Sequence, residues 1–525
     1  MRSLLPSLLV YFVLQLIDAT AGCVKRFYPG VDTHMVCVCN ATYCDVIEPL
    51  GTVPKGKVWR NATVSWDCCA TVMNSTAVHY QTTIDGKRMD KSIINISKTA
   101  NATGINILSL PKSAQELLMK QYFGPVGAEY TIGRVPMAST DFSLSQYSYV
   151  DSPGDFNLST FSLQGEDHKY KIPFIKQGRE LQKESGGLKL IASPWSAPAW
   201  MKSNNAMQGG GRLRGAEGGP FYETWASYFV KFLEAYHKEG VDFWSVTVQN
   251  EPTTGAEPDY PWQTMLFTAE MERDFIKRQL GPALRENPVS KDVNIIMLDD
   301  QRTFLPYWQD IILGDKEAAS YTAGIGVHWY QDLRTPASVL TTTHERHPTK
   351  FILATEACEG APEPGKGVIM GDFARAENYA FSIIEDMNNF ASGWTDWNMV
   401  LNPQGGPTYA KNFVDSPIIV NATEGVFMKQ PMYYAMTHFS KFLKPGASRA
   451  SLSMRSDLQV SALAALMLDG RRFMAVLNKS PTKDAKISIA DTQNPGEYIN
   501  INIPPRSINS IIWNVPTRKN ELKKK

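Results

Sequence analysis

The sequence predicts an α/β protein: a (β/α)8 TIM-type barrel carrying an accessory antiparallel β-domain. Three observations predict it. The chain has 525 residues, which at about 150 residues per domain suits about three domains or one large barrel with an added unit. Seven short apolar runs, at 130–135, 188–192, 243–248, 293–298, 324–328, 351–354 and 393–396, alternate with amphipathic stretches, the pattern of β-α units around a parallel sheet. Beyond residue 431 the pattern changes to alternating segments at 458–467, 472–477, 486–490, 499–503 and 507–513, which read as antiparallel strands with one buried face.

Taken in order, the chain opens with Arg2, an apolar run over 4–17, and Ala19-Thr20-Ala21. This is the pattern of a cleaved export signal over 1–21, too short for a membrane-spanning helix. Eight Asn-x-Ser/Thr acceptors fit a luminal route: Asn40, Asn61, Asn74, Asn95, Asn101, Asn157, Asn421 and Asn478, the last the poorest because Pro481 follows its Ser. Cys23, Cys37, Cys39 and Cys44 crowd the mature start, where an oxidising lumen permits two bridges in any of three pairings. No Cys-x-x-Cys set is present there for zinc. Cys68 and Cys69 are adjacent and hard to join to one another, and Cys358 reads as a free buried thiol.

The barrel should begin before a helix at 112–123, yet residues 91–110 offer only a brief run of Ile93, Ile94 and Ile96, so the first strand is poorly written. Helices are expected at 221–238, where Trp225, Tyr228, Phe229, Phe232 and Leu233 share a face, and at 269–280. A linking helix is expected at 433–443, and the Cys-rich start and residues 59–67 are expected to join the antiparallel sheets. The tail 517–525 is polar and basic and reads as a frayed end.

Composition narrows the function. Lys plus Arg number 53 against 52 Asp plus Glu, which gives no electrostatic case for nucleic acid. A hydrophobic share of 43% excludes a disordered chain. Aromatic residues make up 11% and suit surfaces that stack on sugars.

Two carboxylates then stand out. FWSVTVQNEP carries an apolar run into Asn250-Glu251-Pro252, and KFILATEACE does the same with Glu356. Barrel enzymes gather reactive groups where strands end at the carboxyl face. Allowing for the faint first strand, these are strands four and seven, about three β-α units apart, so the side chains can face each other across the mouth. Such a pair suits glycoside hydrolysis: Glu251 as acid/base with its proton held by a raised pKa, Glu356 as ionised nucleophile, and Asn250 as a donor to the sugar 2-hydroxyl.

The segments VCVCNATYCD, RVPMASTDFS, ASPWSAPAWMK, TVQNEP, MLDDQR, VHWY, ATEAC, GWTDWN, NFVDSPIIV and HFSKF, in order over nearly the whole mature chain, resemble the glucosylceramidases of glycoside hydrolase family 30. The resemblance implies Glu251 as acid/base and Glu356 as nucleophile. It implies Asp141, Trp195, Asn250, Trp397 and Asn412 as residues holding the glucose, with an ionised Asp141 accepting from two hydroxyls, and Arg134, His328 and Tyr330 shaping the site behind them. It implies an immunoglobulin-like β-sandwich from both chain ends (51–96 with 440–516), a small disulfide-bearing sheet at 22–50 and a barrel over 97–439. The implied reaction is hydrolysis of glucosylceramide in an acidic lysosome, reached by the secretory pathway, with a saposin-type activator and anionic lipid as partners and no metal or organic cofactor. A homo-oligomer is left open. Protonating all eight His would add eight to a net charge of +1 and favour an anionic membrane.

The sequence departs from the family where a first strand ending in a Gly-Phe-Gly-Gly stretch should stand, the place where the strand count falls short. Either 92–97 substitutes as an irregular strand, or the chain is a splice product or damaged paralogue that binds glycolipid without hydrolysing it. A xylanase or glucanase reading fits less well. Gly209-Gly210-Gly211 reads as a flexible loop rather than a phosphate cradle, and His344-Glu345-Arg346-His347 as a solvated helix end rather than a zinc motif.

Overall fold

A computed structural model describes residues 23–28, 34–47, 77–83, 101–183, 186–361, 366–454 and 459–514. The leader, Asn61, Asn74, Asn95, Cys68, Cys69, the segments 59–67 and 92–97 and the basic tail lie outside them.

Among the described residues, three strands precede the barrel: β1 (Lys25–Phe27), β2 (Met35–Cys39) and β3 (Ala77–Thr83). The barrel strands are β4 (Ile132–Met137), β5 (Lys189–Pro194), β6 (Ser245–Thr247), β7 (Asn294–Gln301), β8 (Thr322–His328), β9 (Phe351–Glu356) and β10 (Ala391–Trp394). They form one sheet in chain order, parallel throughout. All seven expected runs become strands, with β6 shorter and β7 longer than the apolar runs suggest. Among the described residues no eighth strand lies between β10 and β4. The sheet nevertheless curls. A Cβ placed on Gly393 of β10 would lie 4.0 Å from Ile132 Cδ1 of β4, and Ile132, Ile191, Ile296 and Leu353 from β4, β5, β7 and β9 pack together inside, the layered filling of a barrel interior.

Strands β4 to β9 are each followed by helix. In Pro220–Lys238 a proline opens the first turn, where its missing N–H costs nothing. Trp225, Tyr228, Phe229, Phe232, Leu233 and Tyr236 are buried on one face. Asp372 caps Phe373–Asn388 by accepting from the Ala374 N–H. The stretch expected at 269–280 is helical over Ala269–Phe275 and wider-pitched over Ile276–Leu280, and the linking helix runs Pro431–Ser440.

After β10 come β11 (Val400–Leu401), β12 (Ile418–Asn421) and β13 (Val426–Lys429). With β2 and β1 they form the sheet β1-β2-β13-β12-β11. The Cys-rich start therefore joins strands of the barrel's last loop and not the C-terminal sheets, a correction to expectation. Of the three pairings, the structure has Cys23–Cys37 and Cys39–Cys44. Cys358 is free and buried.

The remaining strands are β14 (Ser448–Arg449), β15 (Val460–Leu466), β16 (Arg472–Asn478), β17 (Ala485–Ala490), β18 (Tyr498–Ile503) and β19 (Ser507–Trp513). They form the sheet β14-β15-β16-β19-β3 and the pair β17-β18. Strand alternation sends Ala462, Ala464, Met474 and Ile511 against Ile489, Ile499 and Ile503 of the pair, while Leu463, Ala465, Phe473, Ala475, Ile508 and Ile512 join the barrel's core. Both faces are thus covered, one by sheet and one by helix.

Of the acceptors in described segments, Asn40 and Asn157 are exposed. Asn421 is half-buried and donates to Glu424 at 3.0 Å. Only the backbone of Asn101 is described. Asn478 is buried, and its Nδ2 donates to the carbonyls of Lys483, Ile503 and Pro504, which leaves no atom for a glycan. Gly209–Gly211 is no flexible connection: a Cβ on Gly210 would meet Glu257 O at 2.5 Å, and Gly210 N donates to Pro258 O at 3.2 Å. Close backbone approach explains the glycines. His344 stacks on Phe390 with ring centroids 4.1 Å apart at the end of the helix Ser338–Arg346.

Lys429 Nζ lies 2.7 Å from Asp45 Oδ1, both side chains wholly buried, and donates also to Gln121 Oε1 at 2.8 Å. Replacing it as Lys429→Met strands a buried carboxylate, so unfolding in urea should show a loss of about 3–5 kcal/mol.

Candidate active site

The carboxyl ends of the parallel strands supply the site. Arg134 lies on β4 and Asp141 just beyond it; Ser193 lies on β5 and Trp195 follows. Asn250 and Glu251 follow β6, Asp299 and Gln301 lie on β7, His328 ends β8 with Tyr330 beyond, Glu356 ends β9, and Trp397 follows β10. The structure therefore gathers every candidate catalytic and sugar-holding residue at one face.

Glu251, His328 and Glu356 each present an atom within 4.8 Å of the other two. Glu356 Oε2 accepts from Arg134 Nη1 at 2.6 Å and Oε1 from the Tyr330 hydroxyl at 2.9 Å. Glu251 Oε1 accepts from Gln301 Nε2 at 2.9 Å and lies 3.0 Å from His328 Nδ1. Its Oε2 meets the Tyr260 hydroxyl at 3.3 Å. Glu251 has a left-handed backbone, φ 42°, a conformation that costs a non-glycine residue about 1–3 kcal/mol and recurs at functional sites. The turn holding it is clamped: Glu251 N donates to Asp299 O, and Thr253 donates through N and Oγ1 to Asp300 Oδ2.

Electrostatics follow from burial and three acids around two cations. Arg134, 1% exposed, also donates from Nη2 to Asp299 Oδ2 and Asn250 Oδ1, each at 2.8 Å. Burial would raise Asp299, but Arg134 and His328 hold it well below the usual carboxylate range. Burial would lower His328, but Glu356, Asp299 and Glu251 outweigh it and bring the imidazole to about 10. Hence His328 is a buried cation at neutral pH as well as in acid, and the expected gain of eight charges does not include it. Burial and then Glu251 push Glu356 up, while His328 and Arg134 oppose. With Glu251, Glu356 and Asp299 all ionised the cluster carries one net negative charge against Arg134 and His328; a single proton on the carboxylate pair neutralises it.

Around this pair, Trp195 and Trp397 stack with centroids 4.7 Å apart, and Arg134 lies over both rings at 5.0 and 5.7 Å. Because Arg134 is donor-only, the Asn250 atom facing it is the oxygen, which turns Nδ2 away from Arg134. Asn412 Nδ2 donates to Asp141 Oδ2 at 2.9 Å, and Asp141 Oδ1 is buried without a partner. Burial raises Asp141 to about 7, with Asn412 opposing; the expected ionised carboxylate is therefore neutral in acid until something donates to it.

Sequence reading missed Asp299, Asp300 and Gln301. The signal was present: MLDDQR carries polar residues off the end of an apolar run as NEP and ATEAC do. Ser193, which donates to Asp299 Oδ2 at 2.8 Å, and Tyr260 gave none.

The His328 shift has a thermodynamic consequence. Its folded value lies above the unfolded 6.5, so its stabilisation is complete below pH 6.5 and is lost as pH rises through about 10. In urea titrations across that window the wild-type midpoint should fall more steeply than that of His328→Asn, which starts lower and has no such proton to lose.

Residues 96–443 match the Glycosyl hydrolase family 30 TIM-barrel domain. The chain is 46% identical over 505 residues to putative glucosylceramidase 4 of Caenorhabditis elegans, covering 91% of this chain and 93% of that one. It is 42% identical over 517 residues to lysosomal acid glucosylceramidase of Mus musculus, covering 96% and 99%. Among solved structures, SrfJ from Salmonella typhimurium superposes with a TM-score of 0.73 at 27% identity, over 81% of this chain and 90% of that chain. By these matches and by its parallel sheet, the chain belongs to glycoside hydrolase family 30.

Proposed function

We propose that this chain is a retaining β-glucosidase that hydrolyses glucosylceramide to glucose and ceramide. The observation that carries the mechanism is the spacing: oxygens of Glu251 and Glu356 within 4.8 Å. Retaining glycosidases hold their carboxyl groups about 5–5.5 Å apart, and inverting ones, which must fit a water between, about 6.5–9.5 Å.

In this mechanism Glu356 attacks the anomeric carbon while Glu251 gives its proton to the departing ceramide oxygen, leaving glucose esterified to Glu356. Glu251, now a base, takes a proton from water as the water oxygen attacks the same carbon, releasing glucose and freeing Glu356. Arg134 and the His328 cation oppose the upward push of burial on Glu356, and Arg134 and Tyr330 aim its two oxygens. Gln301 and His328 occupy Oε1 of Glu251, so the proton goes to the leaving group from Oε2, whose one contact is the longer one from the Tyr260 hydroxyl at 3.3 Å. The unpartnered Oδ1 of Asp141 suits a sugar hydroxyl, and the Trp195 and Trp397 indoles exclude water from the ring. Asn250 Nδ2 serves the 2-hydroxyl, a contact that strengthens in the transition state.

The ceramide substrate rests on the glucosylceramidase relatives, including the lysosomal one of Mus musculus. It brings with it a lysosomal location, an activator of the saposin type and an anionic membrane surface. No described helix is long and apolar enough to cross a membrane. A glucanase reading is carried by a lesser likeness, 31% identity over 384 residues to endo-1,6-beta-D-glucanase of Neurospora crassa. The rival from another class is a glycolipid-binding chain without turnover, suggested by the incomplete strand count.

Hydrolysis of a fluorogenic β-glucoside at pH 5 separates these. Glu356→Gln should lose on the order of 10⁴ or more in kcat. Glu251→Gln should lose about 10²–10⁴ on glucosylceramide but much less at the first step of an activated aryl glucoside, which leaves without a proton. Equal rates for wild type and Glu356→Gln would leave only the binding role.

A further inference from the structure

Arg302 follows Gln301, the donor to Glu251, and is 2% exposed with a role the reaction above does not use. Its Nε donates to Thr335 O at 3.0 Å, Nη2 to Thr335 O at 2.7 Å, to Asp332 O at 3.2 Å and to Glu385 Oε2 at 2.9 Å, and Nη1 to Asp386 Oδ1 at 3.1 Å. Asp332 and Thr335 lie on the loop after β8, the loop that carries Tyr330 to Glu356. Glu385 and Asp386 lie on the helix Phe373–Asn388 after β9. One guanidinium thus pins the Tyr330 loop to a neighbouring helix.

The charges around it do not balance. Asp332, Glu385 and Asp386 present oxygens within 4.8 Å of one another, so three ionised carboxylates would share one buried cation. Asp332 Oδ1 lies 3.0 Å from Arg302 Nε but is buried without a hydrogen bond. The charges acting on Asp332 are those of Asp386, Arg302 and Glu385. On the helix Ser338–Arg346, which packs on the same turn, Arg346 pairs with Asp310 and His344 stacks on Phe390, and Glu345 is exposed. Among the described residues Arg302 is the cation paired with all three carboxylates.

We propose that Arg302 with Asp332, Glu385 and Asp386 forms a proton-operated latch, closed in acid, that holds the Tyr330 loop against the nucleophile. Burial, then the neighbouring carboxylates, raises Asp332 to about 8, and burial raises Asp386 to about 7. Both values exceed the ordinary carboxylate range, so the sign is fixed: the closed latch is fully stable at acid pH and weakens as pH rises through about 7–8. There the uncompensated carboxylates repel, and residues 329–337 loosen. Arg302 is accordingly a positioning residue that acts through Tyr330.

The device serves the reaction proposed above, but its test reads the loop and not turnover, so either can fail alone. Amide hydrogen exchange is followed on the full chain from pH 5.5 to 8.5, corrected for the intrinsic rate, for peptides over 329–337 and, as a control, over β19. Wild-type loop protection should fall about tenfold or more across this range while β19 stays constant, the equivalent of a one-unit pKa coupling. Asp386→Asn keeps the amide's shape and removes one charge, and should reduce the fall to about threefold or less; Glu385→Gln should do the same if Asp386→Asn fails to fold. A wild-type loop whose protection ignores pH, or an identical fall in the folded charge-removing variant, overturns the latch.

Discussion

The site depends on Arg134. Two carboxylates with oxygens within 4.8 Å of each other, both largely removed from water, cannot both ionise unless positive charge is held beside them. Arg134 reaches Glu356, Asp299 and Asn250 and covers the faces of Trp195 and Trp397. It therefore opposes the effect of burial on Glu356, orients the Asn250 amide and packs the two indoles at once. The fork of a guanidinium can do this, and a lysine's single ammonium cannot. Asp299 then supports the second cation, His328, whose other nitrogen faces Glu251.

Strain concentrates in the same place. Leu298 and Asp299 have φ of 68° and 53°, beside a register shift between β7 and β8. A bulge of this kind re-aims side chains that regular pleating would alternate. Its effect is that three successive residues serve the site: Asp299 the two cations, Asp300 the turn after Glu251, and Gln301 the Glu251 carboxylate itself. Arg302, next in line, ties the Tyr330 loop. One short segment coordinates both carboxylates.

Much of this was legible in the sequence because apolar runs that end in polar residues leave a clear mark. Seven strands, the faces of the long helices and the two strand-end glutamates follow from pattern alone. What pattern could not supply was where charge would settle. Asp141 looks like any acid beside a sugar, yet its burial, found only in three dimensions, pushes it to about 7. Gly209–Gly211 reads as loose until the backbone packed against it is seen. The Cys-rich start joins β13 through pairings some 390 residues apart, such as Phe427 with Cys39, beyond any local signal. MLDDQR shows its acids at a strand end, but which cations they face is set by β4 and β8, far away in the chain.

Double displacement requires Glu251 and Glu356 to act on opposite sides of one anomeric carbon. Proton NMR of the first glucose released from a β-glucoside, recorded before mutarotation, tests it most directly. Double displacement gives β-glucose as the initial product. Initial α-glucose would mean single displacement by water and would contradict the roles drawn from the geometry.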